Sequence, residues 1–224
     1  MMQLEYSAVI RCTGRNPHVE QLLQSLAEQS LPPKEVLIVL PHGVPPWDTP
    51  YEVRFIHSPR GMVTQRAEGI KAASSRYLLL LDDDITFNDT HAIEKLFTEM
   101  LRHSAHVALP WSPEAFPQGG VRKFVYALFG IAAPSSERRL HYMASGGFRY
   151  PRKPPLNEPY ETEGGFGCCI ATDRDFLLRN AILGDADLEK IPYALRDDGA
   201  FVLNVVLHGG KAILVGNISY DYLG

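Results

Sequence analysis

Short apolar runs and helical stripes alternate along the first half of the chain. Ser7-Ala8-Val9-Ile10 predicts a strand, followed by the loop Arg11-Cys12-Thr13-Gly14-Arg15. Asn16-Pro17 then reads as a helix N-cap with proline at the first helical position. Val19, Leu22, Leu23, Leu26 and Ala27 recur at helical spacing until Pro32-Pro33 ends the pattern. Glu35 to Leu40 and Val53 to Ile56 predict two more strands. Met62 to Ala73 predicts a helix with Val63, Ala67 and Ile70 on one stripe, before an apolar run at 77–81. Strands alternating with helices at this spacing predict an α/β fold with a mostly parallel, doubly wound sheet.

A helix beginning near Asn88-Asp89-Thr90 carries Ile93, Leu96, Phe97, Met100 and Leu101, and Val107-Ala108-Leu109 predicts a strand. Residues 110–165 lose periodicity except from Phe124 to Ala132, with proline, glycine, aromatic and basic residues interleaved. They read as long loops on a rigid scaffold. Order returns with a strand at Gly167 to Ala171, a helix around Arg174 to Arg179, a helix ending at Gly209-Gly210 and a last strand from Ala212 to Val215. The expected organisation is a single domain with halves 1–109 and 110–224.

The chain has 224 residues and a formal net charge of −4, which supplies no overall field for nucleic acid. Of its three cysteines, Cys168 and Cys169 are adjacent, a poor geometry for pairing with each other, so a reducing compartment is expected. Neither a signal-like amino terminus nor an apolar stretch of membrane-spanning length is present, and the expectation is a cytoplasmic protein.

The candidate chemistry begins at Tyr77-Leu78-Leu79-Leu80-Leu81, followed at once by Asp82-Asp83-Asp84. One Asp after a strand is an ordinary turn or cap residue. Three carboxylates at the carboxyl end of a buried strand repel one another and are most simply explained by a divalent cation or phosphate chemistry at the usual ligand position of α/β sheets. Arg66 falls on the inward stripe of its helix, where a charge is costly unless paired. It is either paired or carries its head past the core. Asp197-Asp198 supplies a second acidic pair, which by itself reads as a helix cap before Gly199.

Four segments in order resemble the family 2 glycosyltransferases: SAVIRCTGR with its following helix, RGMVTQRAEGIKAA, LLLLDDDI, and LRDDGAFVLNVVLHGGKAILV. The resemblance spans most of residues 5–101 and 164–217. It implies a Rossmann-like GT-A fold with a nucleotide-sugar-binding amino half and an acceptor-binding carboxyl half. The implied activity is an inverting transfer from a nucleoside-diphosphate sugar to a hydroxyl acceptor, in cell-surface glycan synthesis. By the same resemblance Asp84 and Asp82 would hold Mn²⁺ or Mg²⁺, while Thr13, Arg15, Arg66, Asp82 and Asp83 would line the nucleotide sugar. Asp198, with Asp197 beside it, would be the general base, and Gly164, Gly165 and Phe166 would shape the acceptor region.

The chain departs from the family pattern after its second strand, where Val39-Leu40-Pro41-His42-Gly43 lacks acids to read the base, and beyond the last strand, where Asp221 stands near a frequent histidine. Cys12 to Pro17 is a poor phosphate loop, which disfavours a sugar nucleotidyltransferase. A nucleotide-sugar or glycan-binding module without turnover is the remaining alternative. Arg122 to Ile131, followed by Arg138-Arg139, mixes basic and aromatic residues. It fits either a peripheral contact with the inner membrane face that presents a saccharide or lipid-linked acceptor, or a buried helix or oligomer contact.

Overall fold

The computed structural model describes residues 4–111, 128, 132–143, 147–151, 153, 155–165, 167–183, 197–218 and 220–223. The expected α/β alternation is present. β1 (Tyr6–Arg11), β2 (Glu35–Pro41), β3 (Arg54–Ser58) and β4 (Tyr77–Asp82) are parallel neighbours in the order β3-β2-β1-β4. Between them run α1 (Pro17–Ala27) and α2 (Met62–Ala72). Asn16 caps α1 as expected, accepting from Val19 N at 2.9 Å, with Pro17 at the first turn. After β4 come β5 (Ile85–Phe87), α3 (Ala92–Arg102) and β6 (Val107–Pro110).

Residues 110–165 are not the strand-free loop region that their weak periodicity suggests. They contain β7 (Ala132–Ser135), β8 (Arg139–Tyr142), β9 (Phe148–Pro151) and β10 (Tyr160–Thr162). Segments of three or four residues are too short to display alternation. Pro134 is accommodated because β7 is the edge strand of the sheet. The remaining elements are β11 (Cys169–Asp173), α4 (Arg174–Arg179), α5 (Asp197–Leu207), β12 (Ala212–Val215) and a strand that the pattern did not reveal, β13 (Tyr220–Tyr222).

The full sheet order is β3-β2-β1-β4-β11-β6-β12-β10-β8-β9-β7, with β13 pairing β5 separately. β11 lies antiparallel between β4 and β6. A strand from the second half of the chain is thereby set beside the acidic end of β4.

Strand alternation divides the core between the two faces of the sheet. Ala8, Ile10, Leu79 and Leu81 pack with Leu22 and Leu26 of α1 and Ile93 and Phe97 of α3. Val9, Leu78 and Leu80 pack on the other face with Ile70 of α2, Phe176 and Leu177 of α4, and Phe201, Val202 and Val205 of α5. α2 reaches the sheet closely because Gly69 has no side chain: a Cβ there would lie 2.2 Å from Val9 Cγ1. No helix among the described residues is long and apolar enough to cross a membrane.

Candidate active site

The same alternation carries two charged residues to the carboxyl ends of the central strands. Arg11 continues the Val9 series and Asp82 the Leu78 and Leu80 series, so both belong to the α2 and α5 face. They are paired in register across β1 and β4. Arg11 is 8% exposed and its guanidinium grips Asp82 Oδ1 through Nη2 and through Nε at 2.9 Å, with Nη1 donating to Met62 O at 3.4 Å. Burial pushes the Asp82 carboxyl above its ordinary pKa, against the positive charge of Arg11.

Arg66 lies fully inside on α2, three residues after Val63 and four before Ile70, as its place on the stripe requires. Its Nη2 donates to Asp198 Oδ1 in the first turn of α5, and its guanidinium carbon sits 5.3 Å from the Phe201 ring centre. Arg11 Nη2 comes within 3.9 Å of the same Asp198 oxygen. The line Asp82–Arg11–Asp198–Arg66 therefore joins two acidic groups separated by more than a hundred residues of sequence. Asp198 can lie this deep because Gly167 faces it: a Cβ at Gly167 would be 2.0 Å from Asp198 Cγ.

The other two aspartates of the run have separate partners. Asp83 Oδ2 accepts from Asn16 Nδ2 at 2.8 Å, which ties the first loop to the acidic run. Asp84 Oδ1 is buried and has no hydrogen-bond partner among the described residues, and the Asp84 carbonyl accepts from Leu223 N at 2.6 Å. The Asp84 carboxylate, then burial, pushes the Tyr222 phenol up to about 12. An orphaned carboxylate oxygen beside further acids fits a divalent cation completed by phosphate oxygens and water, because Mg²⁺ sites commonly use one or two carboxylates and the substrate's phosphates. The described residues alone contain no group of three His, Cys, Asp or Glu able to hold a metal.

Gln65, buried on α2, fixes the backbone below the first loop by donating to Cys12 O (2.9 Å) and Val39 O (2.7 Å). Thr13 and Arg15 are exposed on that loop, whereas Arg66, Asp82 and Asp198 converge. Space beside the glycines of the expected acceptor stretch is occupied by the chain itself. A Cβ at Gly164 would lie 2.7 Å from the Tyr142 hydroxyl, one at Gly165 would lie 2.8 Å from Leu109 Cδ2, and one at Gly199 would lie 2.2 Å from the Tyr142 hydroxyl. Phe166 and the Asp197 side chain lie outside the described residues, as does the Arg122–Ile131 segment apart from an exposed Leu128.

The three cysteines are free. Burial, then the nearby Asp83 charge, pushes Cys12 up to about 12. Burial likewise pushes Cys168, whose thiol donates to the Tyr220 hydroxyl at 3.0 Å, up to about 12.

Sequence reasoning missed Arg11, Tyr142 and Tyr222. Arg11 carried a usable signal, a cation immediately after a buried strand, beside a strand that ends in Asp. Tyr142 and Tyr222 lie in strands of four and three residues whose pattern marks neither. Asp221, near the position where the family often has a histidine, accepts from Asn88 Nδ2 at 2.6 Å.

A family model described as glycosyl transferase family 2 matches residues 46–177, a span that includes Arg66 and the three aspartates but neither Arg11 nor Asp198. An uncharacterized glycosyltransferase of Bacillus subtilis (strain 168), YwdF, is 35% identical over 104 residues, 43% of this chain and 38% of the relative. Among solved structures, S. aureus TarS 1–349 superposes over 97% of this chain and 59% of its own, with a TM-score of 0.59 and 14% identity. GalNAc-T7 with UDP, GalNAc and Mn²⁺ superposes over 97% of this chain and 43% of its own, with a TM-score of 0.66 and 15% identity. The chain thus spans less than two thirds of each of these proteins. The structural likenesses establish a shared glycosyltransferase fold.

Proposed function

The chain belongs to glycosyl transferase family 2, and from that premise we propose that it transfers a sugar, with inversion, from a nucleoside-diphosphate sugar to a hydroxyl acceptor. The observation that carries this reading is the meeting of Asp198 with the Arg11–Asp82 pair at the carboxyl ends of β1 and β4, where α/β sheets bind ligands. The acceptor class we assign is a saccharide or lipid-linked hydroxyl used in cell-surface glycan synthesis, reached from the cytoplasm.

In this reading Asp84 and Asp82 would hold a Mg²⁺ or Mn²⁺ ion beside the donor's diphosphate. When bound, such an ion would neutralise the negative charge that builds on the departing diphosphate. Arg66 and Arg11 supply fixed positive charge at the same end of the sheet. Both guanidiniums approach Asp198 Oδ1, so Oδ2 is the oxygen we assign to the proton. Asp198 accepts the acceptor hydroxyl's proton while that oxygen forms a bond to the anomeric carbon. The bond from carbon to the diphosphate oxygen breaks on the opposite face, and the electron pair leaves with the nucleoside diphosphate.

The test is a panel of nucleotide sugars with Mn²⁺, measuring donor binding and diphosphate release in the same preparation. The correct donor should be turned over, and Asp198→Asn should keep donor affinity while lowering transfer by roughly 10²–10⁴-fold. Donor binding without any diphosphate release would identify a binding module instead. Transfer by Asp198→Asn at the parent rate would remove Asp198 from the mechanism.

A further inference from the structure

We propose that Tyr142 is a positioning residue for Asp198, its hydroxyl acting as a spacer that fixes the first turn of α5; this rests on the transferase reading above. Gly199 follows Asp198 in that turn and is buried. Its backbone is helical, a conformation that needs no glycine and that alanine favours. The reason for glycine here is a neighbour. A Cβ at Gly199 would lie 2.2 Å from the Tyr142 hydroxyl, whereas the next atom it would meet, Tyr142 Cζ, is 3.5 Å away, an ordinary contact. Among the described residues, the phenol oxygen is what occupies the space beside this turn.

Tyr142 has little room to withdraw. β8 runs parallel to β10 with Leu140 opposite Thr162, and Glu163 extends the link: its N donates to Leu140 O at 2.9 Å and its Oε2 accepts from Tyr142 N at 2.9 Å. The Tyr142 ring then packs on Gly164, where a Cβ would be 2.7 Å from the hydroxyl, 2.8 Å from Cε2 and 3.0 Å from Cζ. Phe148, opposite Tyr142 on β9, meets the ring edge-on with centres 6.4 Å apart. One glycine-rich stretch thus serves both residues. Gly167 makes room for the Asp198 carboxylate, and Gly164 for the phenol beside the residue that follows Asp198. A shift of this turn would move the carboxylate away from Arg66 Nη2, and a misplacement of about 1 Å can cost about 10²-fold in rate.

The experiment is a steric cycle at Tyr142 and Gly199 in the full chain. Donor Kd and kcat for diphosphate release with Mn²⁺ are measured in the same preparation, with the nucleotide sugar that wild type turns over. Gly199→Ala should lower kcat by about 10-fold or more and leave donor Kd within about threefold of the parent. Tyr142→Phe vacates the space a Cβ would take, so Tyr142→Phe/Gly199→Ala should recover kcat to within about threefold of Tyr142→Phe alone. Gly164→Ala, whose Cβ would still meet Cε2 and Cζ, should gain nothing from Tyr142→Phe. Gly199→Ala at the wild-type rate would show that the phenol yields, and would overturn the proposal. So would a loss that persists undiminished in the double variant, a fall in donor affinity in step with kcat, or equal rescue of Gly164→Ala. If Gly199→Ala does not fold, the double variant is compared with Tyr142→Phe, and a deficit of about 10-fold or more there overturns the proposal as well. No turnover by wild type with any donor would remove the transferase reading itself, and Asp198→Asn at the parent rate would remove the base on which the spacer acts.

Discussion

Asp198→Ala should destabilise the protein by far more than its position near the surface suggests. Asp198 is 21% exposed, but its partner Arg66 is 1% exposed and sits within the α2 and α5 face of the core. Deleting the carboxylate takes a charged partner from a guanidinium that the packing holds away from water. Removing one member of a buried ion pair costs about 3–5 kcal/mol. The partial exposure of Asp198 and the Phe201 ring beside the guanidinium place this case near the lower end, at about 3 kcal/mol. For a chain of this size that corresponds to a fall in Tm of roughly 6–12 °C. Arg66→Met behaves differently, because it removes the buried charge, retains much of the volume, and leaves Asp198 with Arg11 at 3.9 Å. Its stability should stay within about 1 kcal/mol of the parent. The double variant should match Arg66→Met rather than the sum of the two singles. Urea unfolding of all four proteins gives the coupling directly. Asp198→Ala as stable as wild type, or Arg66→Met as damaged as Asp198→Ala, would refute the reasoning.

Gly167→Ala should displace Asp198, since the new Cβ would sit 2.0 Å from its carboxylate carbon; transfer should fall in a donor-turnover assay while circular dichroism stays native-like. Glu35, whose burial is outweighed by hydrogen bonds from Ser7 and Ser74, has a pKa below its ordinary value. Its stabilising contribution is present above the ordinary carboxylate range of about 4.3 and is lost as pH falls through the lowered folded value. Glu35→Gln should therefore lose less Tm than wild type on acidification from about pH 5 to pH 3, read by a thermal melt at each pH. With Cys12 and Cys168 pushed up to about 12 and Cys169 also raised by burial, native protein should be inert to a thiol-reactive chromogen at pH 8 and should release three equivalents only on unfolding.

Local periodicity determined the elements of the central sheet and much of the site's chemistry by itself. The runs at 7–10, 35–40 and 77–81 could bury their side chains only as strands covered on both faces, and Asn16-Pro17 and the 62–73 stripe specify their helices through hydrogen bonding and spacing that act within one or two turns. Asp82-Asp83-Asp84 was legible as a cluster because its members are adjacent in the chain. Arg66 was legible because a charge interrupted an apolar stripe. The partners of these residues depended on the tertiary structure. Arg66 could have faced phosphate, the acidic run or solvent. The placement of α5 on the same sheet face, with Gly167 opening the necessary space, gave it Asp198. Arg11 belongs with Asp82 because β1 and β4 are neighbours in a particular register, although their residues are 71 positions apart. The chain's carboxyl end reaches the acidic run, with Leu223 N donating to Asp84 O, because β13 pairs with β5, a contact between two strands of three residues whose own sequences carry almost no directional signal. A residue's conformational preference acts over a few neighbours, whereas the identity of its partner is set by strand order and register across the whole sheet.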